Sequence, residues 1–366
     1  MRILMLAPSL NIQGPIPKHT PVLLRELRKL GSVVDIETWG RRKDQETRWE
    51  KVAQRFRDVI AVRRRVKRAS FDVMVVRTGH DWGTLTRDIL VIWGARRFCK
   101  KIVIQFHGSY PDRLIGPRDK WFKFFTAQLL NLSDAALVLS SQEQEQWQTF
   151  CPNKPFYLVS NPFESPQVAP FDEHHVKEKI FKLKEDRLVF VLVGRLVAPK
   201  GIFELLDAMA EVVKKHACQL VLAGDGPDRE LMEQRVDALG LQDYVTLTGY
   251  LKGDEIYQAY QCADVFVLPS WAEGLSFALL EAMDAGLPVI TTKIRGMADH
   301  LEEGVHCLFV PLKDPKALAE AMNRMASDEA LRNKISQENK KKVKDFSPEK
   351  VGRRYLDVLE CVVRGV

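Results

Sequence analysis

The chain has 366 residues, of which 46% are hydrophobic and 28% are charged, and its net charge is +7. These proportions are typical of a globular protein and exclude a disordered, collagenous or wholly coiled-coil chain, while the length predicts about two domains. No apolar run approaches the roughly 20 residues that cross a bilayer.

Residues 1–8 are too short and abrupt for a signal peptide and predict a first buried strand. From there, short apolar runs alternate with helical patterns through the first half of the chain. The predicted strands are 3–7, 33–38, 72–77, 102–106, 136–140 and 156–160. The predicted helices are 18–30, 48–69, 85–98, 120–132 and 142–150.

The second half repeats the alternation after a turn-rich stretch at 161–166 and a charged stretch at 174–187. The predicted strands are 188–193, 219–223, 245–248, 265–268, 289–292 and 307–310. The predicted helices are 202–216, 228–239, 255–262, 277–285, 315–325, 328–343 and 349–363.

Strand–helix alternation on both sides of the turn-rich stretch predicts two doubly wound, Rossmann-like α/β domains that face each other. We expect a first domain at 1–165, a second at 166–347, and a C-terminal helix at 348–366 that packs back on the first. The six cysteines are widely spaced without a CxxC pair. This spacing predicts reduced core thiols in a cytoplasmic protein, and neither disulfides nor a zinc site.

The charge is unevenly distributed along the chain. Residues 1–187 hold 33 basic and 21 acidic side chains, whereas residues 188–366 hold 22 and 27. Within the first half, residues 41–68 alone hold 12 basic and 4 acidic side chains. A local basic patch predicts an anionic partner for one face of the protein and disfavours a protein coated with nucleic acid.

Two cations lie in the loop that follows the strand predicted at 188–193. Arg195 and Lys200 stand within the segment Gly194–Gly201, directly before a predicted helix. The N-terminus of a helix carries partial positive charge, which repels nearby cations and attracts anions. A diphosphate bound between Arg195 and Lys200 would therefore offset the repulsion between these cations and the helix N-terminus. The alternative is a surface loop with two solvated cations.

A second segment combines two carboxylates with a helix start. Gly274 allows close backbone approach, and Ser276 is the predicted N-cap of an apolar helix. A buried Glu281 in that helix needs a polar partner, and Glu273 lies just before the helix. The pair suits a ligand with sugar hydroxyls and a phosphate. The alternative is that Glu281 and Asp284 mark a solvent-exposed stripe.

Together, Arg195, Lys200 and the spacing Glu273-x7-Glu281 resemble the signature of the retaining GT-B glycosyltransferases of the large family four, the glycosyl transferases group 1. The pattern covers residues 189–311 closely and the first half more loosely. Three further stretches support it: Ala-Gly-Asp-Gly-Pro at 223–227, Gly-Tyr at 249–250, and Ala-Asp-Val-Phe-Val-Leu-Pro-Ser at 263–270.

The resemblance implies a nucleotide-sugar donor held mainly by the second domain. His107, which ends a predicted strand, matches the family's histidine that reaches the donor sugar; the alternative is a structural turn histidine. The implied donor contacts are Arg195, Lys200, Gly274, Leu275, Ser276 and Phe277 for the diphosphate, Glu281 for the ribose, and Tyr250 with Leu251 for the base. The implied catalytic residues are His107 and Glu273.

The loop after the first strand departs from the family pattern. Where the family has a Gly-Gly pair, this chain has Gln-Gly-Pro-Ile-Pro-Lys at 13–18, and proline removes N–H donors. Gly14 is expected to approach the phosphate or the acceptor, but in a different loop. No Asp-x-Asp segment is placed to hold a metal, and the resemblance implies an enzyme that needs neither a metal nor a cofactor.

The implied activity is retaining transfer of a hexose or N-acetylhexosamine from a nucleotide sugar to a glycan or lipid-linked acceptor, in bacterial polysaccharide or glycolipid synthesis. UDP is favoured as the carrier because no guanine-specific carboxylate is evident. A nucleotide-sugar epimerase of the same architecture is one alternative, and a non-enzymatic basic protein that binds membranes or nucleic acid is another. A dehydrogenase is disfavoured because no strand is followed by GxGxxG with a later acidic residue.

The basic region at 41–68 also carries an apolar stripe at helical spacing, which includes Trp49, Phe56 and Ile60. We expect this region to bind an anionic membrane surface on the inner face of the plasma membrane. The residues assigned to that patch are Arg63, Arg64, Arg65, Lys67, Arg68, Trp121 and Phe122. The alternative is that the stripe packs on the first sheet while the charges are solvated.

Overall fold

In the computed structural model, the structure describes residues 1–12, 15–40, 42, 47–109, 111–114, 119–183 and 187–365. The chain divides into two compact units, one of Met1–Glu164 with Phe346–Val366 and one of Ser165–Asp345. Each unit contains a six-stranded sheet in which all pairings are parallel.

The first unit is built on a sheet of order β2-β1-β3-β4-β5-β6. Its strands read as apolar runs because helices cover both faces of a parallel sheet. The strands are β1 (Arg2–Ala7), β2 (Val33–Thr38), β3 (Phe71–Thr78), β4 (Cys99–Phe106), β5 (Ala135–Val138) and β6 (Phe156–Leu158). The helices are α1 (Pro15–Lys29), α2 (Arg48–Arg68), α3 (Trp82–Ala95), α4 (Lys120–Leu132) and α5 (Ser141–Phe150).

The second unit has a sheet of order β12-β11-β10-β7-β8-β9. Its strands are β7 (Leu188–Val193), β8 (Cys218–Ala223), β9 (Val245–Gly249), β10 (Val265–Leu268), β11 (Val289–Thr292) and β12 (Cys307–Val310). Its helices are α6 (Glu173–Lys179), α7 (Ile202–Val212), α8 (Arg229–Ala238), α9 (Glu255–Gln261), α10 (Phe277–Asp284), α11 (Arg295–His300), α12 (Pro315–Ser327) and α13 (Glu329–Lys342).

The last helix, α14 (Pro348–Arg364), belongs to the first unit. It packs beside α1 on one face of the first sheet and buries Tyr355 and Leu359 there. This placement agrees with the predicted fold, in which the C-terminal helix packs back on the first domain. The opposite face of that sheet is covered by α2, α3, α4 and α5. A backbone hydrogen bond connects the two segments of the first unit: the N–H of Phe163 donates to the carbonyl of Phe346 at 2.8 Å.

The prediction that Phe122 lies on an exposed membrane-facing patch is wrong. Phe122 is fully buried in the first core, where its ring contacts Trp82 and His80. Neighbouring positions on a helix point about 100° apart, so Trp121 is instead directed outward and is 71% exposed. Among the helices that the structure describes, none is both long and apolar enough to span a membrane.

Candidate functional site

The strand order of the second sheet reverses at the paired strands β7 and β10, and the crevice of such a sheet lies outside the carboxyl ends of these two strands. From β7 the chain proceeds to β8 and β9 on one side, and it then crosses to β10, β11 and β12 on the other. In open parallel sheets, ligands bind at the carboxyl ends of the strands where the order reverses. The loops that follow β7 and β10 therefore mark the candidate site of this unit.

Lys200 and Glu273 join these two loops. Lys200 ends a short 3-10 turn after β7, and its Nζ forms an ion pair with Oε1 of Glu273 in the loop after β10. The side chains are only 22% and 16% exposed, and the Ser270 hydroxyl donates to the same carboxylate oxygen at 3.3 Å. Arg195, in the same loop as Lys200, is exposed. The predicted diphosphate and sugar residues are thus neighbours at the crevice.

Backbone contacts hold the loops close. The N–H of Trp271 donates to the carbonyl of Pro199 at 2.8 Å, across the crevice. Gly201 has φ +72°, and a β-carbon there would lie 2.2 Å from the carbonyl oxygen of Pro269. A β-carbon on Gly224, after β8, would lie 1.8 Å from the carbonyl oxygen of Gly194. Only glycine allows these approaches, which explains two glycines of the sequence pattern.

The loop before α10 is fixed from the neighbouring strand and helix. Gly296 of α11 donates its backbone N–H to the carbonyl of Gly274 at 3.1 Å, and the Thr292 hydroxyl donates to the carbonyl of Ser270 at 2.6 Å. Ser276 occupies the N-cap position as predicted, but its side chain makes no capping hydrogen bond. Leu275 is buried, and the helix begins at Phe277.

Glu281 is buried in α10 and is 4% exposed, so the alternative of a solvent stripe is wrong for this residue. Its carboxylate oxygens accept hydrogen bonds from the hydroxyls of Tyr257 at 3.2 Å and Tyr260 at 3.1 Å, both on α9. Burial and the adjacent carboxylate raise the pKa of both tyrosines above the ordinary value. The two phenols therefore stay protonated and fix the carboxylate in place.

The remaining predicted donor residues lie at the same end of the second sheet. Tyr250 and Leu251 follow β9, where Tyr250 is half exposed and Leu251 is buried. Lys313, which the sequence analysis missed, lies after β12 with its Nζ 4.0 Å from the ring centre of Trp271. The available signal for Lys313 is its position three residues after the end of a predicted strand. Within the described residues, no cluster of three His, Cys, Asp or Glu side chains could hold a metal ion.

His107 lies in the first unit, directly after β4. Its backbone N–H donates to the carbonyl of Thr78, and its ring Nε2 accepts from Nε of Arg77 at 3.2 Å. Burial and the neighbouring guanidinium hold the pKa of His107 well below its ordinary value, so the ring is neutral at pH 7. The predicted Gly14 lies outside the described residues.

Two family models match the chain. The model described as Glycosyltransferase Family 4 matches residues 18–165, and the model described as Glycosyl transferases group 1 matches residues 175–342. Among curated proteins, an alpha-D-kanosaminyltransferase from Streptomyces kanamyceticus is 33% identical over 252 residues, which are 64% of each chain. The lipopolysaccharide core biosynthesis glycosyltransferase LpsD from Rhizobium meliloti is 35% identical over 182 residues, 50% of this chain and 51% of that protein. The chain thus spans between about half and two thirds of the length of these relatives.

Solved structures match over the whole chain. Sucrose-phosphate synthase from Thermosynechococcus elongatus superposes with a TM-score of 0.79 at 19% identity, covering 100% of both chains. The Anabaena protein Alr3699/HepE in complex with UDP and glucose gives a TM-score of 0.74 at 18% identity, covering 98% of this chain and 99% of that one. At these identities the likeness establishes the fold.

Proposed function

This chain belongs to the glycosyl transferases group 1 and has their GT-B fold, and on that premise we propose which transfer it performs. It moves a hexose or N-acetylhexosamine from a UDP-sugar to a glycan or lipid-linked acceptor, in bacterial polysaccharide or glycolipid synthesis. The anomeric configuration is retained and no metal or cofactor is needed. The observation that carries the proposal is the Lys200–Glu273 pair at the point where the strand order of the second sheet reverses.

The cations of this crevice are suited to the leaving group of a nucleotide sugar. As the glycosidic bond breaks, negative charge develops on the diphosphate. An ammonium has three N–H donors, so Lys200 can bind a phosphate oxygen as well as the Glu273 carboxylate. Arg195 and the backbone N–H groups at the start of α10 add further positive potential. These groups stabilise the leaving diphosphate without a metal.

The carboxylates bind hydroxyl groups of the donor. Glu281, fixed by Tyr257 and Tyr260, accepts from the ribose, and Glu273 accepts from the transferred sugar. The transfer follows a front-face path through an oxocarbenium-like state, in which the leaving phosphate takes the acceptor's proton. His107 positions the sugar and does not serve as a base. The base of the nucleotide meets the backbone near Tyr250 and Leu251.

A thermal-shift panel tests the donor. A ligand at 100 times its Kd stabilises a protein by about 2.7 kcal/mol, which raises the unfolding midpoint by about 3–4 °C in a chain of this size. We expect this shift with UDP-glucose or UDP-N-acetylglucosamine and a smaller shift with GDP-mannose and ADP-glucose. A larger shift with GDP-mannose than with both UDP-sugars would contradict the choice of carrier.

Product analysis of the same UDP-sugars separates the remaining alternatives. The enzyme is expected to release UDP and a sugar slowly without an acceptor, at the same rate with and without EDTA. An epimerase would invert a ring carbon other than the anomeric one, and a non-enzymatic binder would release nothing. Loss of the activity with EDTA would contradict the metal-independent mechanism.

The first unit exposes an unusual number of large apolar side chains on adjacent helices. Trp49 of α2 is 83% exposed, Trp93 of α3 is 70% exposed, and α3 packs against both α2 and α4. We call the following set the aromatic surface: Trp49, Phe56, Ile60, Leu90, Trp93, Trp121 and Phe124. Globular proteins rarely expose apolar patches of this kind unless they bind a partner or a membrane. The alternative that the α2 stripe packs on the sheet is wrong for Trp49, Phe56 and Ile60.

One of these helices, α2, carries all five predicted basic residues, and each of them is exposed. Two of them make contacts: Arg65 pairs with Asp35 at 3.3 Å, and the Nζ of Lys67 lies 5.1 Å from the ring centre of Phe98. Arg63, Arg64 and Arg68 complete the group. Exposed tryptophans and arginines on one group of adjacent helices suit the interface of an anionic membrane. The aromatic surface and these cations support peripheral docking on the inner face of the plasma membrane, where lipid-linked acceptors are found.

Liposome co-sedimentation tests this docking. Replacing both Arg63 and Arg64 by serine is expected to lower binding to anionic vesicles by about 30-fold at low salt, since each cation contributes about 1 kcal/mol. The matched control replaces Arg353 and Arg354, which are exposed on α14 at the opposite face of the first sheet, and it should bind normally. Wild-type protein that remains in the supernatant at low salt would refute membrane docking.

A further inference from the structure

Arg77 is a fully buried arginine at the end of β3. Within the described part of the chain, no carboxylate pairs with its guanidinium. A buried guanidinium without an acidic partner is costly, so its position calls for an explanation. Burial lowers the pKa of Arg77 to about 10, which still leaves it charged at pH 7.

The contacts of Arg77 are neutral acceptors from several elements. Its Nε donates to Oε1 of Gln105 at 3.0 Å and is shared with Nε2 of His107 at 3.2 Å, while Nη1 donates to the hydroxyl of Thr20 on α1. Tyr355 of α14 donates its hydroxyl to the same Gln105 oxygen at 2.9 Å. The final helix of the chain therefore helps to fix the group that contacts His107.

These contacts determine where the imidazole carries its proton. Arginine has donors only, so Nε2 of His107 must be the acceptor and cannot be protonated while the contact lasts. A neutral imidazole then has its proton on Nδ1. Among the residues that the structure describes, the ionisable groups that face His107 are Arg77, His19 with a ring centre 5.0 Å away, and the Tyr355 phenol behind Gln105. None of them supplies a negative charge at pH 7 that would favour an imidazolium.

Nδ1 of His107 is buried and has no hydrogen-bond partner among the described residues. We propose that Arg77 is a positioning residue that holds His107 as the neutral Nδ1–H tautomer, so that this unpaired N–H is the donor that the ring can offer to a ligand. The role of the N–H rests on the proposed function, whereas the tautomer depends only on the first unit. His107 then offers one hydrogen-bond donor and cannot act as a general base through Nε2. The ring stays in one state across the physiological pH range.

Two-bond proton–nitrogen spectra of protein labelled with ¹⁵N-histidine test the tautomer, and His107→Gln identifies the signal. We expect the Nδ1–H pattern for His107, unchanged between about pH 5.5 and 8. An Nε2–H pattern, or titration near the ordinary value of about 6.5, would overturn the proposal. The measurement needs no substrate, so it succeeds or fails independently of the donor experiments.

Arg77→Met tests the cause. The variant should populate the Nε2–H tautomer, lower kcat by about tenfold or more, and leave the Kd for UDP within about twofold. Tyr355→Phe is the matched control, because it removes one buried hydrogen bond from the same cluster but keeps the Arg77–His107 contact. It should lower the unfolding midpoint and retain the tautomer. A wild-type tautomer in folded Arg77→Met would show that Arg77 has a structural role only; if that variant does not fold, the wild-type spectrum decides.

Discussion

Replacing Lys200 by alanine is expected to weaken UDP binding by about 10- to 150-fold while the fold stays intact. A charge-assisted hydrogen bond to phosphate contributes roughly 1.5–3 kcal/mol, which gives this range. We expect the upper part of the range, because the variant also leaves the Glu273 carboxylate without its cation, close to the bound diphosphate. Isothermal titration with UDP measures the effect.

A matched control for this variant lies in the same unit. Lys214 forms a surface ion pair with Glu211 at 2.7 Å, and both side chains are exposed. Lys214→Ala removes the same charge and breaks the same kind of pair, so it should bind UDP as the wild type does. If Lys200→Ala also binds UDP with wild-type affinity, Lys200 is not a diphosphate ligand and the Lys200–Glu273 pair is a loop contact.

The strands of this protein were predictable because of their environment. Strands of a parallel sheet are covered on both faces, so each appears in the sequence as a short apolar run, and β7 and β10 occur at their predicted bounds. The helices α6 and α11 were not predicted. They have seven and six residues, which is less than two helical turns, and such a length shows no helical period in the sequence.

Which side of a helix faces the core was harder to predict than the helix itself. The run Trp-Phe-Lys-Phe-Phe at 121–125 contains aromatic residues on several sides of α4, and only packing on α3 selects Phe122 as the buried one. In α3, Leu90 and Trp93 are large apolar residues on the side that faces solvent, where polar residues are usual. Their presence in the sequence was the available signal for the aromatic surface.

The residue pairings of the candidate site depend on topology. Lys200 and Glu273 are 73 positions apart, and they meet because the order of the second sheet brings β7 beside β10. The family pattern identified both residues as candidates, but it did not predict the ion pair between them. The sequence contains only a weak indication that Arg77 has a role, namely a cation at the end of a predicted apolar strand. Its contact with His107 follows from the pairing of β3 with β4. Long-range contacts of this kind are absent from local sequence patterns.

Replacing Glu273 and replacing Glu281 by glutamine are expected to cause different defects, one in turnover and one in UDP binding. Glu273→Gln should lower kcat and leave UDP binding equal to or tighter than wild type, because its proposed partner is the reacting sugar and Lys200 loses a competing carboxylate. Glu281→Gln should weaken UDP binding by about tenfold or more, since a charge-assisted bond to a ribose hydroxyl contributes roughly 1.5–3 kcal/mol. Titration with UDP and steady-state kinetics with the UDP-sugar measure the two effects.

Deoxyribose analogues make the assignment of Glu281 specific. Wild-type protein should bind UDP more tightly than its 2′-deoxy or 3′-deoxy analogue, and Glu281→Gln should reduce that difference to about twofold or less, as expected when a variant removes the partner of the missing hydroxyl. Lys200→Ala should keep the difference, because the proposed contact of Lys200 is with the diphosphate. Tyr257→Phe controls for damage to the buried cluster, since it removes one of the hydrogen bonds to Glu281 but keeps the carboxylate. If Glu281→Gln still discriminates between UDP and both deoxy analogues as the wild type does, Glu281 does not bind the ribose and its burial between the two phenols is structural.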